Sequence, residues 1–122
     1  MIRPYDLLET VLIDVEKGIR AGITVDILAK RYSLSYRHIQ RIFKTAFKQT
    51  LADYIRSRKL AVSLDDLFKT DLKLFDIALE YGFGYEQTYI RAFKREYGIT
   101  PGHLRKFFRI SNAKSSLRSF YT

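Results

Sequence analysis

The chain contains no cysteine, no tryptophan, two prolines and two histidines among its 122 residues. Without cysteine there are no disulfides, thiolate metal sites or cysteine nucleophiles, and His38 and His103 stand too far apart in sequence to build a metal centre by themselves. Neither a metal nor a cofactor is expected. No nucleophile paired with a base and no phosphate-binding loop is visible, so an enzyme is not expected either. There is no run of eighteen apolar residues to span a bilayer. The first eighteen residues, MIRPYDLLETVLIDVEKG, place acids among their apolar positions and lack a small-residue cleavage site, which does not fit a secretory signal. The expectation is a cytoplasmic protein with no membrane partner.

Acids are also scarce, at 13 against 22 lysines and arginines, for a net charge of +9. The imbalance is uneven. Residues 1–29 hold three bases and five acids, whereas the remaining ninety-three hold nineteen bases and eight acids. A basic majority confined to one part of a chain is the pattern of a polyanion-binding surface, with nucleic acid ahead of anionic membrane.

Glycine is restricted to positions 18, 22, 82, 84, 98 and 102, and proline to 4 and 101, so breaks are few and localised. Between them the apolar residues recur at three- and four-residue spacing, and nothing alternates long enough to form a strand. The pattern predicts seven helices. The first runs from about Tyr5 to Arg20 on Leu7, Leu8, Val11, Leu12, Val15 and Ile19. A second starts from Thr24 as N-cap and is expected to bury Ile27, Leu28 and Tyr32. Ser35 caps a third that reaches Phe47, with Ile39, Ile42, Phe43 and Ala46 inward. Thr50 opens a long helix to about Phe68, a short one carries Leu74, Ile77 and Ala78, and another spans about Tyr85 to Tyr97. Thr100 caps the last, with Pro101 at its first position. Beyond Ile110 the sequence SNAKSSLRSFYT is polar and weakly patterned, and reads as a frayed tail or linker.

An internal repeat organises these helices. Ile39, Arg41, Phe43, Lys44 and Phe47 lie fifty residues before Tyr89, Arg91, Phe93, Lys94 and Tyr97, and Thr50 lies fifty before Thr100. The preceding short helices align at forty-nine: Leu28 with Ile77, Ala29 with Ala78, Tyr32 with Tyr81, Ser33 with Gly82, Leu34 with Phe83. One extra residue therefore sits in the second turn. A short helix, a tight turn and a longer helix form the helix-turn-helix pattern, whose second helix enters the major groove. The predicted fold is all-α, with two helix-turn-helix subdomains at 1–49 and 70–110, a connecting helix at 50–69 and a polar tail or linker at 111–122.

The runs LAKRYSLSYRHIQRIFKTAF, YIRSRKL and YGFGYEQTYIRAFKREYGITPGHLR resemble the DNA-binding domain of the AraC/XylS transcription regulators. The resemblance covers about residues 5 to 108 and is densest in the Gly-Phe, Arg-x-Phe-Lys and Gly-x-Thr-Pro elements of the second unit. It implies seven helices, two helix-turn-helix units joined by the long fourth helix, and two recognition helices in successive major-groove segments. It also implies a sequence-specific, double-stranded DNA-binding regulator, an activator that places RNA polymerase beside its site. Two unlike reading heads in one chain remove the need for a palindrome, so monomeric binding is expected. The competing reading is a basic helical adaptor that binds RNA or protein without DNA sequence readout; equal binding of single-stranded, RNA and duplex competitors would favour it.

The outward stripe of the third helix, Arg37, Gln40, Arg41 and Lys44, follows i, i+3, i+4, i+7. The resemblance makes Arg37, Gln40 and Arg41 base-contacting and places Tyr36 near a sugar or phosphate. On the sixth helix the corresponding base-contacting set is Glu86, Gln87, Ile90 and Arg91. Arginine presents two donors to guanine O6 and N7, glutamine reads adenine, and Ile90 suits a thymine methyl. Lys44, Lys48, Lys94 and Arg95 lie further along the same helices, where phosphates are the expected partners; Arg56, Arg105 and Lys106 are weaker candidates. Backbone N–H groups near Thr24, Leu72 and Thr100 are further expected phosphate ligands. Phe43 and Phe93 read as core. Lys48 stands where this family commonly ends the helix with glycine, so it must accept strain or move the helix end.

Overall fold

The computed structural model describes residues 3–121, and the side chains of residue 3 and of residues 5–114. Among the described residues the chain forms seven α-helices and no strand: α1 (Pro4–Gly18), α2 (Val25–Arg31), α3 (Tyr36–Phe47), α4 (Leu51–Lys69), α5 (Leu74–Glu80), α6 (Glu86–Tyr97) and α7 (Pro101–Tyr121), with a 3-10 turn at Ile19–Ala21 after α1. The chain divides into two compact units, Met1–Ala61 and Val62–Thr122, so the break falls inside α4.

Helix starts follow the hydroxyl caps. Thr24, Ser35, Thr50 and Thr100 each accept, through the side-chain oxygen, from the backbone N–H three residues on, at 3.0–3.2 Å, satisfying one orphan donor of each first turn. α7 continues past Ile110 to Tyr121. Sequence patterning ended it early because the apolar stripe stops there. Yet no proline or glycine follows Gly102, so nothing in the backbone chemistry breaks the helix.

In the first unit Val11, Val15, Ile19, Leu28, Ile39, Phe43 and Leu51 are buried. Phe43 packs against Phe47 and Tyr54, with ring centroids 4.7 and 5.3 Å apart. Two inward assignments fail. Ile27 is 42% exposed, and Ala46 is exposed as well. α2 is only two turns long, so its buried stripe is filled by Val25, Leu28 and Ala29 and has no room for Ile27.

In the second unit Leu67, Ile77, Ala78, Tyr81, Tyr89 and Phe93 are buried. Tyr89 lies between Phe83 and Phe93, at 5.3 and 5.7 Å. Its hydroxyl is shared with Ser63 Oγ at 2.9 Å, and Ser63 is fully buried. Where the first unit uses the apolar Ile39, the second carries a phenol and must supply a buried partner for it.

The two turns agree bond by bond. Tyr32 N–H donates to Leu28 O and Leu34 N–H to Ala29 O at 3.1 and 2.8 Å; forty-nine residues on, Tyr81 N–H donates to Ile77 O and Phe83 N–H to Ala78 O at 3.1 and 2.9 Å. Ser33 holds φ 56° where Gly82 holds φ 79°.

A side-chain contact accompanies each turn. Tyr32 donates its hydroxyl to Asp14 on α1, and Tyr81 donates to Asp66 on α4 at 2.7 Å. Asp14 and Asp66 are fifty-two residues apart, as are Val15 and Leu67, so the repeat extends back to α1 and the second half of α4. The Tyr32 hydrogen bond, followed by Arg31 at 3.3 Å, holds the Asp14 carboxyl below its ordinary range against the opposing effect of burial. Burial, and then Asp14 itself, push the Tyr32 phenol up to about 12.

A carboxylate with a depressed pKa stabilises the fold above its unfolded pKa and loses that contribution as pH falls through the folded value. Tyr32→Phe is expected to cost about 1 kcal/mol near neutral pH. That difference should shrink as pH drops below about 4; urea unfolding across the acid range checks both.

Lys48 ends α3 at φ 62°, ψ 15°, and Gly98 ends α6 at φ 75°, ψ 3°. The lysine has accepted the left-handed conformation rather than moved the helix end. Lys48→Gly is expected to raise unfolding stability by about 0.5–1 kcal/mol, measured by the same method.

Candidate nucleic-acid interface

The buried faces of α3 and α6 fix which residues point out. With Ile39 and Phe43 buried on α3, and Tyr89 and Phe93 on α6, the opposite stripes carry Arg37, Arg41 and Lys44 in one unit and Gln87, Arg91 and Lys94 in the other. All six are exposed. Among the described residues the guanidinium groups of Arg37, Arg41 and Arg91 form no ion pair. Other arginines are spoken for. Arg58 forms a forked pair with Glu16 at 2.5 and 3.1 Å, Arg56 pairs with Asp53 at 3.0 Å, and Arg109 pairs with Asp71 at 2.5 Å.

Gln40 and Ile90 occupy equivalent positions and both are half-buried, at the edge of their stripes. Gln40 Oε1 accepts from the Ala52 backbone N–H at 3.2 Å, and Nε2 donates to the Tyr36 hydroxyl at 3.3 Å. Its carbonyl thus caps the first turn of α4, which commits one of its two acceptor positions. Periodicity marked the position as outward, but α4 begins close enough to claim it. Tyr36 remains 49% exposed.

Lys44, Lys48, Lys94 and Arg95 are exposed along the later turns of α3 and α6 and just beyond α3. Glu86 is exposed in the first turn of α6, where a carboxylate is favourable to the helix dipole. Tyr85, at the N-cap, accepts no cap bond through its side chain, unlike Ser35 at the same place in the first unit.

Two weaker candidates are corrected. Arg105 donates from Nε to Leu67 O at 2.9 Å and from Nη1 to Leu72 O at 2.7 Å, with longer contacts to the carbonyls of Asp66 and Thr70. It therefore closes the C-terminal end of α4, where orphan carbonyls attract a cation. Burial lowers its pKa. The Leu72 N–H donates to Thr70 Oγ1 at 3.2 Å and precedes the start of α5, so it is not a free helix-start donor. His38 and His103 are both exposed.

A helix-turn-helix domain model matches residues 28–106. This chain belongs to the AraC/XylS family and is a DNA-binding transcription regulator. It is 34% identical over 99 residues to regulatory protein SoxS of Salmonella typhimurium, covering 81% of this chain and 92% of that one. The right origin-binding protein of Escherichia coli is 34% identical over 100 residues, and the match spans 82% of this chain but 35% of that protein. The C-terminal domain of a response regulator, yesN of Fusobacterium nucleatum, superposes with a TM-score of 0.72 at 28% identity over 80% of this chain and 95% of that one. The DNA-binding domain of AdpA, solved with a target DNA, shares the fold at a TM-score of 0.76 and 20% identity, covering 85% of this chain and 94% of that one. The family consists of regulators rather than enzymes. Among the described residues no helix is long and apolar enough to cross a membrane.

The assignment of Arg105 to the end of α4 has a measurable consequence. Arg105→Gln is expected to lower unfolding stability by about 2 kcal/mol. At low temperature, where the variant stays folded, the salt dependence of its DNA affinity should equal that of the wild type.

Proposed function

We propose that this regulator reads two successive major-groove segments of duplex DNA as a monomer, one through α3 and one through α6. The observation that carries the reading is the pair of exposed arginines, Arg41 and Arg91, fifty residues apart and without ion pairs among the described residues. Each is a two-pronged donor suited to guanine. Arg37 and Gln87 extend the two reading stripes, and Glu86 suits a cytosine amino group. Ile90, at the edge of its stripe, packs on a thymine methyl. Gln40 also fixes the Tyr36 hydroxyl and the start of α4, and its second amide N–H is left to read a base.

Phosphates are held by Tyr36, Lys44, Lys48, Lys94 and Arg95, which set register without reading sequence. The uncapped first turn of α6 adds backbone donors. The two stripes differ in composition, which favours an asymmetric site over a palindrome. Activation by recruiting RNA polymerase beside that site, in the cytoplasm, is the role we carry over from the family resemblance.

Selection of bound sequences from random duplex DNA tests the reading. Arg41→Ala and Arg91→Ala should each relax preference at a different part of the selected site and cost about 1–3 kcal/mol there. Wild-type preference in both variants would overturn the assignment. If about six to ten phosphates are neutralised, affinity should fall by about 10³ to 10⁵ between about 50 and 200 mM salt.

A further inference from the structure

A groove of about 390 Å³ runs along the flank of α3 in the first unit, lined by Leu8 of α1 and by His38, Arg41, Ile42, Thr45 and Ala46 of α3. It lies on the helix face next to the reading stripe and shares one residue with it, Arg41. Leu8, Ile42 and Ala46 give it an apolar floor. The Thr45 hydroxyl donates to the Arg41 carbonyl at 2.9 Å, so it has no proton to offer. Arg41 has no ion pair among the described residues. An unpaired guanidinium beside an apolar trough matches an anionic head on an apolar body, and the size is at the small end of ligand pockets.

The repeat shows that the fold does not require this chemistry. Fifty residues on, the positions of Arg41, Ile42, Thr45 and Ala46 are held by Arg91, Ala92, Arg95 and Glu96. The arginine is kept, while the trough beside it becomes charged. The second unit keeps one half-buried apolar group there, Ala92, where the first has Ile42 and Ala46 beside Leu8.

We infer that the α1–α3 groove binds a small amphipathic organic anion, an aryl or short alkyl carboxylate. Its carboxylate pairs with Arg41, and its apolar body lies against Leu8, Ile42 and Ala46. Occupancy withdraws Arg41 from DNA, a consequence that rests on Arg41 being a base reader; the binding itself does not.

The test uses 4-ethylbenzoate, its uncharged isostere 4-ethylbenzamide, and acetate as the ionic-strength control. In two-dimensional NMR of the full chain without DNA, the benzoate should give saturable shifts at Leu8, Ile42 and Ala46, and the amide should bind at least about tenfold more weakly. Ala46→Glu, which copies the second unit, should abolish the shifts yet keep wild-type DNA affinity. Arg41→Gln should remove the preference for the charged probe. The benzoate should weaken DNA binding by the wild type and leave Ala46→Glu unaffected, while acetate affects neither.

Absence of saturable shifts, shifts elsewhere, or equal binding of the amide would overturn the site. A filled groove with unchanged DNA affinity would overturn the competition and count against Arg41 as a reader. Loss of sequence preference in Arg41→Ala without benzoate binding would leave the DNA reading intact and remove only the ligand.

Discussion

The turn of each helix-turn-helix unit is anchored by a tyrosine that ends the first helix and donates its hydroxyl to an aspartate on the supporting helix behind it, Tyr32 to Asp14 and Tyr81 to Asp66. A tight turn between two short helices has little core of its own, and α2 and α5 are seven residues each. Isolated helices of that length are not stable in water. The phenol fills the space under the turn while its oxygen ties that turn to a longer helix through a charge-assisted bond. With the turn fixed, the phase of α3 and α6 is fixed too, and the phase decides which side chains leave the surface. Presentation of Arg41 and Arg91 is thus a downstream consequence of two anchored phenols, one half-buried and one fully buried.

Equal geometry has been reached with unequal chemistry. Ser35 caps α3 with its hydroxyl, whereas Tyr85 gives α6 no such bond. α3 ends on a left-handed lysine and α6 on a left-handed glycine. The core position held by Ile39 needs nothing, while Tyr89 needs Ser63. Ile55 is buried where, fifty residues on, Arg105 binds the end of α4. Such divergence at constant backbone shows that the two units share a geometry that does not dictate their side chains, and on the outward faces it places Glu86 and Ile90 where the first unit has Tyr36 and Gln40.

Most of the helices were legible in the sequence because their signals are local: hydroxyl caps at Thr24, Ser35, Thr50 and Thr100, glycines at Gly82 and Gly98, and apolar residues at helical spacing. The outward stripes were legible for the same reason, and Arg37, Arg41, Gln87 and Arg91 are exposed as periodicity indicates. What escaped depends on partners distant in sequence. Asp14 and Tyr32 are eighteen residues apart, and nothing local shows that they pair until α1 and α2 are brought together. Gln40 reads as outward until the start of α4, twelve residues on, takes its carbonyl. Arg105 reads as one base among many until the carbonyls thirty-three to thirty-nine residues earlier surround it. A fifty-two-residue offset between Asp14 and Asp66 was available as a signal, but it differs from the forty-nine and fifty of the other helices and so broke the alignment.

The central claim is that one chain carries two matched probes, both engaged on a single site. It is tested most directly by following the arginine Nε–H resonances while the protein is titrated with its selected duplex. The account predicts that the signals of Arg41 and Arg91 shift together and saturate at one protein per duplex, and that a scrambled duplex of the same length moves neither to the same end point. If only one of the two shifts, or if saturation needs two proteins per duplex, the two-probe account is contradicted.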